Sequence, residues 1–332
     1  MKKSFLAIVL YVFACAHTPN IQAQSIHFSQ FNNQPLLLNP SLTGSEAGEY
    51  RAALTYRNQW QSIPADYSTL IASFDRSLGT CANEDSYLGI GGMVYHESFG
   101  DGALKESSAA ISFAYHRQMD EVLKVSFGGQ VGYTNKKIDF SNITFPGQIQ
   151  DFQINPNLPS SDFLVLEDNF NYFNAKLGVS TIISLGELSQ LEIGGSYNHI
   201  FEPDQTFLSP AGEANELKGL WVAHVGGEFG VSERISLNPS FLHMAKGSSR
   251  LNIGGASMAY YFNGSQEESN SISVGSWYRF DDAVIFTLGA NIGRITTNVS
   301  YDLTVSDLEE ATNGRGAFEV SVIYRGLTKA CN

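Results

Sequence analysis

The stretch LKVSFGGQVGY, residues 123–133, sets Leu123, Val125, Phe127, Val131 and Tyr133 at alternate positions, with Lys124, Ser126, Gln130 and three glycines filling the rest. Successive side chains of a strand point to opposite faces, so this segment has one apolar face and one wet face. A single strand of this kind would suit the edge of a sandwich. Here the pattern recurs from residue 48 to residue 326. It predicts fourteen strands near 49–60, 66–76, 86–97, 105–118, 121–135, 170–184, 188–201, 217–232, 235–245, 250–263, 270–281, 283–293, 295–304 and 316–326. A long series of such strands joined by turns predicts an all-β fold, a transmembrane antiparallel β-barrel whose apolar side faces lipid. The 283–304 stretch also reads as one long bent strand, which leaves the count open.

The first residues fit that reading. Lys2 and Lys3 precede an apolar run from Phe5 to Ala16, with small residues around Ala23. This is the pattern of a secretory signal peptide, with a run too short to span a bilayer. Ala14-Cys15 leaves a lipoprotein reading open, but Phe13 stands where a smaller residue is usual, so cleavage near Ala23 is preferred. The domain plan is therefore 1–23 signal peptide, 24–47 plug or cap, and 48–332 outer-membrane barrel. The cap, which contains HFSQFNNQPLLLNPSLTG from His27 to Gly44, does not alternate; its Asn, Pro and Gly residues mark turns.

Charge narrows the function classes. The chain carries 20 basic and 33 acidic residues, net −13; losing Lys2 and Lys3 takes it to −15. Such acidity disfavours nucleic acid as a partner. Charged residues are only 16% of the chain, below the quarter usual in soluble domains. The wet faces of the strands carry charge of both signs: Arg51, Arg57, Lys124, Arg279, Arg325, Glu228 and Glu319. At mid-bilayer a lipid-facing Arg or Lys costs about 2–4 kcal/mol, so these residues are expected to line the lumen. Mixed signs favour a filled interior over an open ion-selective channel.

Chemical motifs are sparse. The seven histidines form no H-x-x-x-H spacing, and no G-x-S-x-G elbow, P-loop or helix-opening GxGxxG is present. His116 and His224 sit on wet faces, away from any lipid substrate, and Asp162, Glu167 and Asp168 read as solvated loop acids. The expectation is no enzyme, no cofactor and no metal site. If strand one runs outward, the long connections 136–169, 202–216 and 305–315 are extracellular and tight turns such as Met119-Asp120 are periplasmic, the usual arrangement. Cys81 and Cys331 then both fall on the periplasmic side, which is oxidising, and strand closure brings them near each other. A disulfide and two free thiols are both compatible with that.

FSQFNNQPLLLNPSLTG followed by RAALTYRNQW (Arg51 to Trp60) resembles the N-terminal signature of the PorP/SprF family, outer-membrane proteins of the type IX secretion and gliding systems of Bacteroidetes. LNPSFL (237–242), WYRF (277–280), NVSYDLTVSDL (298–308) and FEVSVIYR (318–325) extend the resemblance along the chain. The last strand departs from it: Ala317-Phe318-Glu319 stands where the family commonly opens with a His-Glu pair. The resemblance implies a non-enzymatic barrel that assists secretion or surface attachment of an adhesin or other cargo with a C-terminal signal domain. For one branch it also implies contact with periplasmic ring and peptidoglycan-binding components. Asn39, Pro40, Arg57, Asn58, Gln59 and Trp60 are the candidate plug or partner contacts, with Trp60 expected on the lipid side. The competing reading is an outer-membrane transport channel for small or hydrophobic solutes, and a third is a scaffold barrel without cargo.

Overall fold

The computed structural model describes residues 26–45, 49–60, 67–78, 85–100, 104–140, 146–150, 153–155, 167–207, 216–262 and 270–327. The signal-peptide stretch, Cys81 and Cys331 lie outside the described residues. Fourteen strands form one closed barrel: β1 Glu49–Gln59, β2 Tyr67–Leu78, β3 Ser86–Phe99, β4 Leu104–Gln118, β5 Leu123–Ile138, β6 Asn169–Ser184 and β7 Ser189–Asn198, then β8 Leu220–Ser232, β9 Ile235–Lys246, β10 Ser249–Tyr261, β11 Ser271–Arg279, β12 Ala283–Ile292, β13 Ile295–Thr304 and β14 Arg315–Leu327. Each strand pairs antiparallel with its neighbours. β1 closes on β14 in continuous register from Glu49↔Leu327 to Gln59↔Ala317, so the sheet has no free edge. The 283–304 stretch resolves into two strands, because Gly293 adopts φ +60° and turns the chain back after Ile292.

Alternation sorts the two faces. Phe127, Trp221 and Leu288 are 59%, 63% and 61% exposed on the outside, a level of apolar exposure that a hydrocarbon environment satisfies and water does not. The inner positions of the same strands carry polar or small residues such as Ser126, Gln130 and His224, together with buried apolar ones such as Val222 and Ile285. Among the described residues no helix is long and apolar enough to cross a membrane; the crossing elements are strands.

The connections β5–β6, β7–β8 and β13–β14 are the longest of one end, here the loop end, whereas β4–β5, β6–β7, β8–β9 and β12–β13 turn within a few residues at the other. A two-residue ladder pairing Ile149 with Ile154 and a helical turn over Glu309–Thr312 decorate the loop end; neither has an alternation signal. Long loops on the outer side are the usual arrangement in such barrels.

Candidate functional site

Ahead of β1, three short helical turns (Phe31–Asn33, Pro35–Leu38 and Pro40–Leu42) thread the barrel interior. Prolines at 35 and 40 suit these turns, since a first-turn position has no use for the missing N–H. The segment spans the lumen from the loop end, at Ile26–Gln30, to the opposite end, at Ser45. Phe31, Leu38 and Leu42 pack with Leu220, Val222, Leu242, Ile253 and Ile285 of β8, β9, β10 and β12. Phe28 and Leu36 pack with Ile71 and Met93 of β2 and β3.

Polar contacts fix this plug at three levels. Near the loop end, the Ser29 and Gln30 amides donate to the two oxygens of Glu319 at 2.6 and 3.0 Å. Arg57, directly opposite Glu319 across the closing seam, pairs with it and donates to Ser29 Oγ at 2.8 Å and to Gln59 Oε1 at 2.9 Å. Asp302 accepts from Ser29 Oγ and Arg279 Nη2, both at 2.7 Å. Arg57, Arg279, Asp302 and Glu319 are all at most 3% exposed. This is a buried charge cluster in which each charge has an opposite partner, as low-dielectric burial demands. It joins residues from the 27–44, 51–60, 277–280, 298–308 and 318–325 motifs, so stretches scattered over the sequence meet at one latch.

At mid-height Asn39, in the extended conformation that a following proline favours, caps the turn by accepting from Ser41 N at 3.0 Å. Its Nδ2 donates to Val179 O at 3.0 Å and lies 3.0 Å from His224 Nε2. Pro40 lies on Gly128 and Asn39 on Gly178; a Cβ at either glycine would collide with them. Nearest the short-turn end, His116 Nε2 donates to Thr43 O at 2.8 Å while its Nδ1 accepts from Ser126 Oγ at 2.8 Å. Asp75 takes Gly44 N at 2.6 Å and a bidentate Arg51, and Lys124 Nζ donates to Ser45 O at 2.7 Å. Glu228 accepts from Tyr261 OH at 2.9 Å and Arg325 donates to Thr296 Oγ1 at 3.3 Å, away from the plug. All of the strand charges on the wet face therefore project inward.

Two placements differ from the sequence reading. Trp60 was expected on the lipid side; instead its φ of +60° ends the alternation of β1, and the indole packs edge-on against Tyr67, 5.6 Å between ring centroids, beside the loop-end cavity. Asn58 shares the outward phase of β1 with Tyr56, whose hydroxyl it meets at 3.4 Å, and forms no hydrogen bond to the plug among the described residues. The sequence also gave no notice of His96 and Ser107, register partners on the outer face whose Nδ1 and Oγ lie 2.8 Å apart. On its other side His96 is the register partner of Leu70.

Above the plug opens a vestibule of about 430 Å³, floored by Phe28, Phe31, Leu37 and Leu38. Tyr67, Tyr95, Tyr172 and Met244 stand in its wall together with Glu97, Glu106, Lys136, Lys176 and Lys246. Glu106 is held by Lys136 at 2.8 Å and by Tyr95 OH at 2.6 Å, and Glu97 by Thr69 at 2.9 Å. His199, just past β7, donates to Asn174 Oδ1 at 3.0 Å. Burial, with the charges of Lys176, Lys246 and Lys136, pushes its imidazole down to about 3, so the ring is neutral. Among the described residues no cluster of His, Cys, Asp and Glu has the arrangement of a metal site.

The family model for the type IX secretion system membrane protein PorP/SprF matches residues 20–324. No curated protein matches the sequence. Among solved structures the chain is similar to the Ralstonia pickettii toluene transporter TbuX, with TM-score 0.51 and 10% identity over 90% of this chain and 94% of that one. It is also similar to a deltaS2S3 mutant of the monoaromatic hydrocarbon channel TodX, with TM-score 0.54 and 10% identity over 89% and 94%. At such identity the likeness is one of fold.

Proposed function

The chain belongs to the PorP/SprF family of type IX secretion system membrane proteins, and from that premise we propose that it is a plugged docking barrel. In this reading it assists the secretion or surface attachment of an adhesin or other cargo with a C-terminal signal domain, in the outer membrane and in support of gliding. It does so without an enzymatic step. Export by the signal peptide 1–23 and contact with periplasmic ring or peptidoglycan-binding components belong to the same proposal.

The observation that supports it best is the latch. Burying four charges and the backbone of Ser29 and Gln30 in one network is a costly way to line a pore, and a sound way to hold a lumen shut. A barrel with its lumen occupied has its extracellular loops and its periplasmic turns left as working surfaces. Deleting the connection between β5 and β6 is expected to leave the barrel assembled and to abolish recovery of a large co-purifying protein from native outer membranes in gentle detergent. Unchanged recovery would move the docking surface elsewhere, and a solitary wild-type barrel would overturn the docking role.

The channel reading makes the opposite prediction in planar bilayers. A docking barrel held by the latch is expected to be electrically silent, and steady wild-type conductance or solute uptake would favour the channel.

A further inference from the structure

The vestibule holds two lysines that form no ion-pair contact with a carboxylate among the described residues. Lys176 is 6% exposed and its ammonium donates to one partner, Leu37 O at 2.7 Å. Lys246, half-buried, has no side-chain partner among the described residues. A near-buried ammonium satisfied by a single neutral carbonyl is expensive, and a fold keeps such a group where something else completes it.

The two lysines are also aligned. Strand register pairs Lys176 with Asn198, Asn198 with Leu220 and Leu220 with Lys246, so they end one row across β6, β7, β8 and β9. At about 4.8 Å between strands their backbones stand roughly 14 Å apart along the wall. Both face the same space. Beneath the row lie Leu37 and Leu38 of the plug and, beside it, Val222 and Met244. The shelf is thus cationic at its edge and apolar at its floor.

The remaining charges set the ligand class. Glu97 and Glu106 stand on the adjoining β3–β4 wall and would repel a polyanion. The volume is at the small end of the range of about 300–1,000 Å³ usual for ligand pockets, too small for a folded domain. We propose that the vestibule binds a monocarboxylate with an apolar or aromatic body, its carboxylate on Lys176 and Lys246 and its body on the plug floor. That chemistry is carried by a free apolar acid or by the C-terminus of a protein chain with an apolar last residue. The proposal does not rest on cargo docking, since a barrel of either function would carry the shelf.

The test is calorimetric titration of the full barrel in nanodiscs with 4-phenylbutyrate and with its neutral amide, 4-phenylbutanamide. One saturable site is expected for the acid, with the amide at least tenfold weaker and K176M and K246M each at least fivefold weaker for the acid. Equal binding of acid and amide, no binding of the acid, or unchanged affinity in K246M would overturn it. Heat-modifiability on gels reports folding; if K176M does not assemble, K246M, at a half-exposed position, decides alone. The tripeptide acetyl-Gly-Leu-Phe, as free acid and as amide, separates the sources. Tighter binding of the peptide acid than of 4-phenylbutyrate names a chain terminus, and the reverse order names a small acid.

Discussion

The latch and the vestibule wall are both inward faces of one barrel, yet they treat charge in opposite ways. At the latch, Arg57, Arg279, Asp302 and Glu319 each face an opposite charge, and the plug's Ser29 and Gln30 add amide and hydroxyl hydrogen bonds to the two carboxylates. A few residues away on the β6–β9 wall, Lys176 leans on one carbonyl, and Lys246 has only the more distant charge of Glu106 and no hydrogen bond among the described residues. Matched charges in a dry site hold structure; an unmatched cation facing an opening waits for a partner. The contrast separates scaffold from binding surface without appeal to any relative.

The sharpest way to break this contrast is to cut the latch. Arg57→Met leaves Glu319 and Asp302 buried with one cation fewer, and losing one member of a buried pair costs about 3–5 kcal/mol. Urea unfolding in lipid vesicles is expected to register a loss of that size, together with channel-like current in planar bilayers as the plug comes free. A variant as stable and as silent as the wild type would mean that the apolar packing of Phe31, Leu38 and Leu42 holds the plug unaided. A smaller effect is expected at the plug's seat. Gly178→Ala drives a methyl group into Asn39, and overpacking of this kind costs about 1–3 kcal/mol. Intermittent current, with the barrel still resistant to urea, is the expected signature.

How much of this was legible in the sequence depends on how local the cause is. Alternation is local, and it placed every strand within a few residues, including the separation at Gly293 once the turn is known. It overran at Trp60, where a left-handed backbone redirects the side chain in a way no periodicity carries. The glycines of the wet faces were visible but their reason was not: Gly128 and Gly178 are small because Pro40 and Asn39 press on them from far away in the chain. The same holds for the latch: Arg57, Arg279 and Glu319 were readable as inward charges, Asp302 was not singled out, and their meeting depended on closure of β1 onto β14. Lys176 and Lys246 had a usable signal, a charge on the inward phase of a strand. Only the register across four strands turns two such charges into one shelf.

The gentlest variant sharpens the contrast most. Lys246→Met removes a half-buried cation that no carboxylate hydrogen-bonds among the described residues, and Glu106 keeps its own Lys136 partner, so no buried group is orphaned and the apolar stem is kept by a side chain of similar length. Without ligand its stability is expected to stay within about 0.5 kcal/mol of wild type, the scale of a substitution away from structural features. Urea unfolding under the conditions used for Arg57→Met makes the two numbers comparable. A loss approaching that of the latch variant would place Lys246 among the residues that hold the barrel together, and the division between matched scaffold and unmatched wall would fail at its weakest point.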